Sequence, residues 1–232
     1  MIGEWNALAI AAVAVVGYLI GNMQTALIIS RLRFRDDVRL YGSGNAGTTN
    51  MIRVYGKNYG LLTFLGDAGK CVAGFFIGRL LGGWIGINVT DPTVSVLLGG
   101  YIASACVVLG HCYPVLFQFR GGKGAASAYA MTWCLCWQAA LVSTIIAIVI
   151  FLIWKRVSLV SILTAISYLI GTYIVWATGN ADRYLLFFVA PVVLLLLIRH
   201  KDNIKRLLRG EENKVSFGKK KKPAEKEDET DE

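Results

Sequence analysis

Charged residues are spaced so as to leave long apolar runs between short polar segments. Trp5–Ser30, Pro92–Phe119 and Val157–Ala181 contain no Asp, Glu, Lys or Arg, and Gly124–Trp154 continues for 31 residues without one. Tyr59–Ile87 is apolar but broken by Asp67, Lys70 and Arg79, and Tyr184–Ile198 is a shorter run of 15 residues. About 20 apolar residues in a helix cross the ~30 Å hydrocarbon core of a bilayer, so these runs predict membrane spans. The first has the position of a signal peptide. It lacks a basic start, however, and its apolar stretch exceeds a signal core, so it is read as a span.

The 31-residue run is too long for one span, since as a single helix it would measure ~46 Å. Loop charge decides how to divide it. As one helix, it would place Lys155–Arg156 and the lysine-rich tail opposite the loop at 31–58. As two short helices turning near Trp137–Gln138, it leaves all the basic loops (31–58, 118–124, 155–156 and the tail) on one side. The other side then holds only Glu4, Asp91, Asp182 and Arg183. The positive-inside rule selects the second arrangement. The expected architecture is an all-α polytopic membrane protein of seven helices, two of them short. Its N-terminus is outside and its C-terminus cytoplasmic. Residues 1–210 form one transmembrane domain, with polar loops at 31–58, 118–124 and 199–210. Residues 211–232 form a charged, disordered tail in which Lys219–Lys222 precede the acidic Glu225–Glu232.

Composition agrees. The chain is 55% hydrophobic and 17% charged, against roughly 45–50% and 25% for soluble domains. The net charge is +9, and residues 1–198 carry 13 basic and 6 acidic side chains. That excess suits anionic lipid or phosphorylated metabolites. Nucleic acid is not expected as a partner, because the basic residues sit in short loops between apolar spans. The five cysteines form no C-x-x-C and lie in apolar surroundings, so they are read as small core residues rather than disulfides or zinc ligands.

Three polar islands fall on the same side of this topology. The first is Gly42-Ser43-Gly44-Asn45-Ala46-Gly47-Thr48-Thr49-Asn50-Met51-Ile52-Arg53. Its G-x-G-x-x-G lacks the strand–helix context of a dinucleotide site, and no Walker lysine follows Gly47. What remains is a glycine-rich loop whose backbone N–H groups can wrap a phosphate, with Arg53 able to add a bidentate contact. The second runs from Gly110-His111-Cys112-Tyr113-Pro114 to Phe119-Arg120-Gly121-Gly122-Lys123-Gly124. It sets Lys123 among glycines at a membrane edge, where a lysine either anchors the span or meets an anion. The third, His200-Lys201-Asp202-Asn203, places His200 and Asn203 on one helical face. Asp67 and Lys70, also three apart, are expected to pair with each other because charge in a membrane is costly. Arg79 has no evident partner. There is no H-x-x-x-x-D, H-E-x-x-H or G-x-S-x-G, which disfavours soluble-type acyltransferases, zinc proteases and serine hydrolases.

These three segments, in this order, resemble the three motifs of the PlsY family: bacterial membrane acyltransferases that use acyl-phosphate as donor. The resemblance covers residues ~15–214. It implies transfer of a fatty acyl group to the 1-hydroxyl of glycerol-3-phosphate, giving lysophosphatidic acid and inorganic phosphate, in the bacterial plasma membrane with the active face cytoplasmic. It also implies that Ser43, Arg53, Lys123, His200 and Asn203 are the functional residues. On this reading Gly42, Ser43, Gly44, Asn45 and Gly47 hold the fatty acyl-phosphate head. Arg53, Lys123, His200, Asn203 and, within the family-like segment Lys155–Ser158, Ser158 hold glycerol-3-phosphate. The acyl chain lies between helices or in membrane lipid. No metal or cofactor is implied. The base is either His200 or the departing phosphate. Asn22 stands where the family has serine, and Cys71 where it has glycine. The competing readings are a small transporter or flippase for a phosphorylated solute or lipid, a structural membrane partner, and an acyltransferase using acyl-CoA.

Overall fold

The computed structural model describes residues 5–88 and 90–214; Glu4 and the Lys219–Lys222 and Glu225–Glu232 segments of the tail lie outside them. Among the described residues, ten α-helices follow one another: α1 Ala7–Gly21, α2 Thr25–Phe34, α3 Thr48–Tyr55, α4 Lys57–Ile85, α5 Pro92–Cys112, α6 Ala125–Leu135, α7 Trp137–Trp154, α8 Val157–Ala177, α9 Leu185–Arg199 and α10 Lys201–Leu208. The one β pairing among the described residues is an isolated bridge between Trp5 and Asn88. Among the described residues, five stretches are long and apolar enough to cross a membrane: Ala7–Phe34, Lys57–Ile85, Pro92–Phe117, Trp137–Trp154 and Val157–Ala177. Leu185–Arg199 is a shorter apolar helix.

Close glycine contacts hold α1, α4 and α5 together. A Cβ on Gly78 would strike the Gly99 carbonyl, one on Gly82 the Ser95 carbonyl, and one on Gly17 the Ala103 carbonyl. In lipid, where apolar burial does not drive helices together, such backbone approach is the main source of packing energy. α5 opens with Pro92 at its first turn and Asp91 as cap, whose carboxylate accepts from the Thr93 and Val94 amides at 2.9 and 3.2 Å.

The first charge-free run departs from expectation. It is not one helix ending at Ser30. It breaks at Asn22–Gln24, and its second part continues to Phe34. The break is filled by polar side chains. Asn22 donates to the Tyr18 carbonyl at 2.7 Å and accepts from the Leu116 amide at 3.2 Å. Lys70 Nζ donates to the freed carbonyls of Gly21 and Met23 at 3.1 and 2.6 Å. Lys70 also pairs with Asp67 at 3.1 Å, the pairing that their spacing predicts, and meets His111 Nδ1 at 2.8 Å. Thr25 Oγ donates to the same Asp67 oxygen, and Ser127 Oγ on α6 donates to its carbonyl. Cys71 is buried against α5 with Sγ 3.8 Å from the Ser104 carbonyl.

The 31-residue run breaks at Cys136, one residue before the expected turn, and the chain folds back there. Tyr129 on α6 and Thr144 on α7, fifteen residues apart, meet at 3.2 Å through their hydroxyls. In one continuous helix they would be ~22 Å apart. At one end of the bundle the Asn6 amide bonds to the Ile87 carbonyl, and Tyr101 bonds to Asp182 at 2.5 Å. At the other, Arg39 donates to the Phe117 and Arg120 carbonyls, Arg199 donates to those of Gly121 and Gly122, and Ser158 meets Glu212. The basic loops are therefore gathered at a single end.

Candidate active site at the charged end

A cavity of about 2230 Å³ opens among these loops. Gly42, Ser43, Gly44, Asn45, Gly47, Arg53, Lys123, Ser158, His200 and Asn203 all line it, so the residues singled out from sequence meet in one place. Deeper in, its walls become apolar, with Ala128, Met131, Ile148, Val189, Val192 and Leu196. A polar mouth continuous with an apolar well suits an amphiphile.

The glycine loop is shaped by Asn50, which is almost fully buried. Its Nδ2 donates to the Val38 and Tyr41 carbonyls, both at 3.0 Å, and its Oδ1 accepts from the Ser43 amide at 2.9 Å. The chain passes Gly42 at φ +62°, a conformation that favours glycine, and a Cβ there would collide with the Asn50 side chain. Gly47 then starts α3 without a side-chain cap. The helix presents its N-terminus to the cavity, with the Thr48 hydroxyl buried and unpartnered in its wall. Uncapped N–H groups and a helix dipole favour an anion. Arg53, one turn along α3, is exposed and forms no ion pair among the described residues, and its stem lies against Gly42.

The loop bearing Lys123 is held from two sides. Arg199 donates to the Gly121 and Gly122 carbonyls at 3.1 and 2.8 Å, and its guanidinium lies 4.9 Å over the Tyr113 ring. From below, the His111 carbonyl accepts from the Gly122 amide at 3.1 Å, and a Cβ on Gly122 would strike the His111 ring. Lys123 Nζ donates to Asn203 Oδ1. Burial, reinforced by the positive charge of Arg206, lowers the Lys123 ammonium from its ordinary range to about 8.

His200 caps α9 and begins α10. Burial lowers its imidazolium to about 4, so the ring is neutral at pH 7. Nδ1 lies 2.8 Å from the Leu196 carbonyl. A neutral ring in that position must carry its proton on Nδ1, which leaves the Nε2 lone pair free to accept. Asn203 donates to Glu212 Oε1 at 2.7 Å, Ser158 donates to the same oxygen at 2.7 Å, and Arg206 Nε meets Oε2 at 2.8 Å. Burial alone would raise the Glu212 carboxyl, but these three bonds outweigh it and hold it below its usual range. The ordered contacts thus extend two residues past the expected domain boundary at Gly210.

The model of the family described as glycerol-3-phosphate acyltransferase matches residues 11–210. The chain belongs to the glycerol-3-phosphate acyltransferase family. It is 35% identical over 209 residues to the glycerol-3-phosphate acyltransferase of Staphylococcus aureus strain bovine RF122 / ET3-1, covering 90% of this chain and 98% of that protein. It is 34% identical to the corresponding protein of strain JH9 over the same span. Its fold is similar to the crystal structure of PlsY (YgiH), an integral membrane glycerol 3-phosphate acyltransferase. The glycerol 3-phosphate form aligns at TM-score 0.73 and 33% identity, over 89% of this chain and 96% of that one. The lysophosphatidic acid form aligns at 0.69 and 33%, over 90% and 96%.

In this acyltransferase, four residues not singled out from the sequence hold the cavity's polar wall in place: Asn50, Arg199, Arg206 and Glu212. Arg199, Asn203 and Arg206 recur at three- and four-residue spacing, which was the available signal.

Proposed function

We propose that the protein transfers a fatty acyl group from acyl-phosphate to the 1-hydroxyl of glycerol-3-phosphate. The observation that carries this reading is the single cavity joining an anion-favouring mouth to an apolar well. The matching order of the three motifs supports acyl-phosphate as the donor. The loop Gly42–Gly47, with Ser43, Asn45 and the Thr48 hydroxyl, holds the donor phosphate at the start of α3. Arg53 reaches over Gly42 and, with Lys123, His200, Asn203 and Ser158, holds glycerol-3-phosphate.

The substrate hydroxyl oxygen attacks the acyl carbonyl carbon. The ester C–O bond forms as the bond from that carbon to the phosphate oxygen breaks, releasing lysophosphatidic acid and inorganic phosphate. A phosphate's second pKa is about 6, and the His200 imidazolium is lowered to about 4. The departing phosphate is therefore the stronger base and takes the hydroxyl proton. Before attack, the His200 Nε2 lone pair accepts a hydrogen bond from glycerol-3-phosphate and orients it, while the proton of the attacking hydroxyl goes to the phosphate. The mixed anhydride is already activated, so positioning and charge neutralisation supply the rate, and orientation alone is worth roughly 7–11 kcal/mol.

The chain crosses the bacterial plasma membrane seven times on this reading, with the N-terminus outside and the site facing the cytoplasm. The basic loops gathered at one end support that orientation.

Purified protein given palmitoyl-phosphate and glycerol-3-phosphate, with each omitted in turn, tests the reaction. Phosphate release that requires both and yields lysophosphatidic acid is expected. Release that is independent of glycerol-3-phosphate would overturn the acceptor assignment.

A further inference from the structure

The apolar well ends at a defined depth. On α8 the lining runs inward from Ser158 to Tyr168, on α9 from His200 to Val189, and on α7 from the end of the helix to Thr144. Each of these limits is ten or eleven residues from the charged end of its helix, or ~16 Å at 1.5 Å per residue. On α6 the lining stops at Thr132. The well therefore reaches only about half-way through a ~30 Å hydrocarbon core.

Two hydrogen bonds tie its lining residues together near this end. Tyr168 donates to the Thr132 carbonyl at 3.2 Å, and Tyr129 meets Thr144 at 3.2 Å. Beyond them the packing is close: Tyr168 is 3% exposed, and a Cβ on Gly171 would come within 3.2 Å of Ala139 on α7. These bonds join α6 to α7 and α8, so the end of the well is tied across three helices.

We infer that Tyr168, with the Tyr129–Thr144 pair, is the floor of the acyl well and sets the longest chain that the enzyme accepts efficiently. This rests on the reading of the cavity as the acyl-donor site. A chain that reaches the floor buries all its methylenes, whereas a longer one must bend or leave some outside. Removing the Tyr168 ring deepens the well and should favour longer donors. Enlarging Ala165, one turn nearer the mouth on the same wall, should favour shorter ones.

The test uses the full-length protein in detergent and saturated acyl-phosphates of 8 to 20 carbons, each with saturating glycerol-3-phosphate. Relative kcat/KM is read against chain length for the wild type, Tyr168→Ala, Tyr168→Phe and Ala165→Leu. In Tyr168→Ala the optimum should move to longer chains, each newly buried methylene being worth roughly fourfold. Tyr168→Phe keeps the ring and should keep the optimum, and Ala165→Leu should shift it shorter. Optima unchanged in both Tyr168→Ala and Ala165→Leu would overturn the inference. If Tyr168→Ala does not fold, an unshifted optimum in Ala165→Leu does so by itself. A wild type that ignores acyl-phosphates and uses acyl-CoA would defeat the donor assignment instead, and the same variants on an acyl-CoA length series would still decide the floor.

Discussion

Lys123 offers a pH signature that separates its role from that of a membrane anchor. Its ammonium, desolvated and facing Arg206 and Arg199, loses its proton at about 8. If that charge holds substrate phosphate, about nine-tenths of the free enzyme is competent at pH 7 and about one-tenth at pH 9. The value of kcat/KM for glycerol-3-phosphate should therefore fall roughly tenfold between those pH values, since this parameter reports the free enzyme. In Lys123→Arg the guanidinium stays charged throughout the range. Its activity should be lower, because the fit to Asn203 is lost, but its alkaline decline should vanish. The acid limb comes from the substrate's own phosphate, with pKa about 6, and should be common to both enzymes. Initial rates of lysophosphatidic acid formation from pH 5.5 to 9.5 supply the test. A wild type flat up to pH 9.5, or an arginine variant with an unchanged alkaline limb, would refute the reasoning.

Arg53→Ala should lower kcat/KM by ~10²–10³-fold without lowering the melting temperature, because its exposed guanidinium forms no ion pair among the described residues; the paired kinetic and thermal measurements check this. Asn50→Leu strips three hydrogen bonds from the glycine loop and should cost about 1–3 kcal/mol of stability with a raised KM, as read by thermal unfolding and donor titration. Lys70→Met leaves the buried Asp67 carboxylate without its ammonium and should destabilise by ~3–5 kcal/mol, and adding Asp67→Asn to it should recover part of the loss. Folding carries His200 from its ordinary 6.5 down to about 4. The unfolded chain therefore binds the extra proton between those values, and stability should fall as pH drops from 6.5 to 4, a fall that His200→Asn should reduce.

The helical spans were legible because a bilayer requires long uncharged runs, and the reversal at Cys136 was legible because loop charge must fall on one side. The break at Asn22–Gln24 was not. Neither residue is charged, and the partners that stabilise the freed carbonyls come from α4 and α5. Ser43, Arg53, Lys123, His200 and Asn203, which line one cavity, could be singled out because they sit in motif segments. Asn50 lay within the first motif, but its work is on the carbonyls of Val38 and Tyr41, which only loop closure brings near. Arg199 was not distinguished from the other basic residues of its segment, and Glu212 fell in the charged tail from residue 211. Their roles come from the meeting of α8, α10 and the 121–124 loop, which no local pattern encodes.

Donor choice tests the central claim most directly. Palmitoyl-phosphate and palmitoyl-CoA are offered separately at equal concentration to purified protein with glycerol-3-phosphate, and lysophosphatidic acid and inorganic phosphate are both quantified. Lysophosphatidic acid is expected from palmitoyl-phosphate alone, with one inorganic phosphate released per molecule formed. Comparable product from palmitoyl-CoA, or product without stoichiometric phosphate, would contradict it.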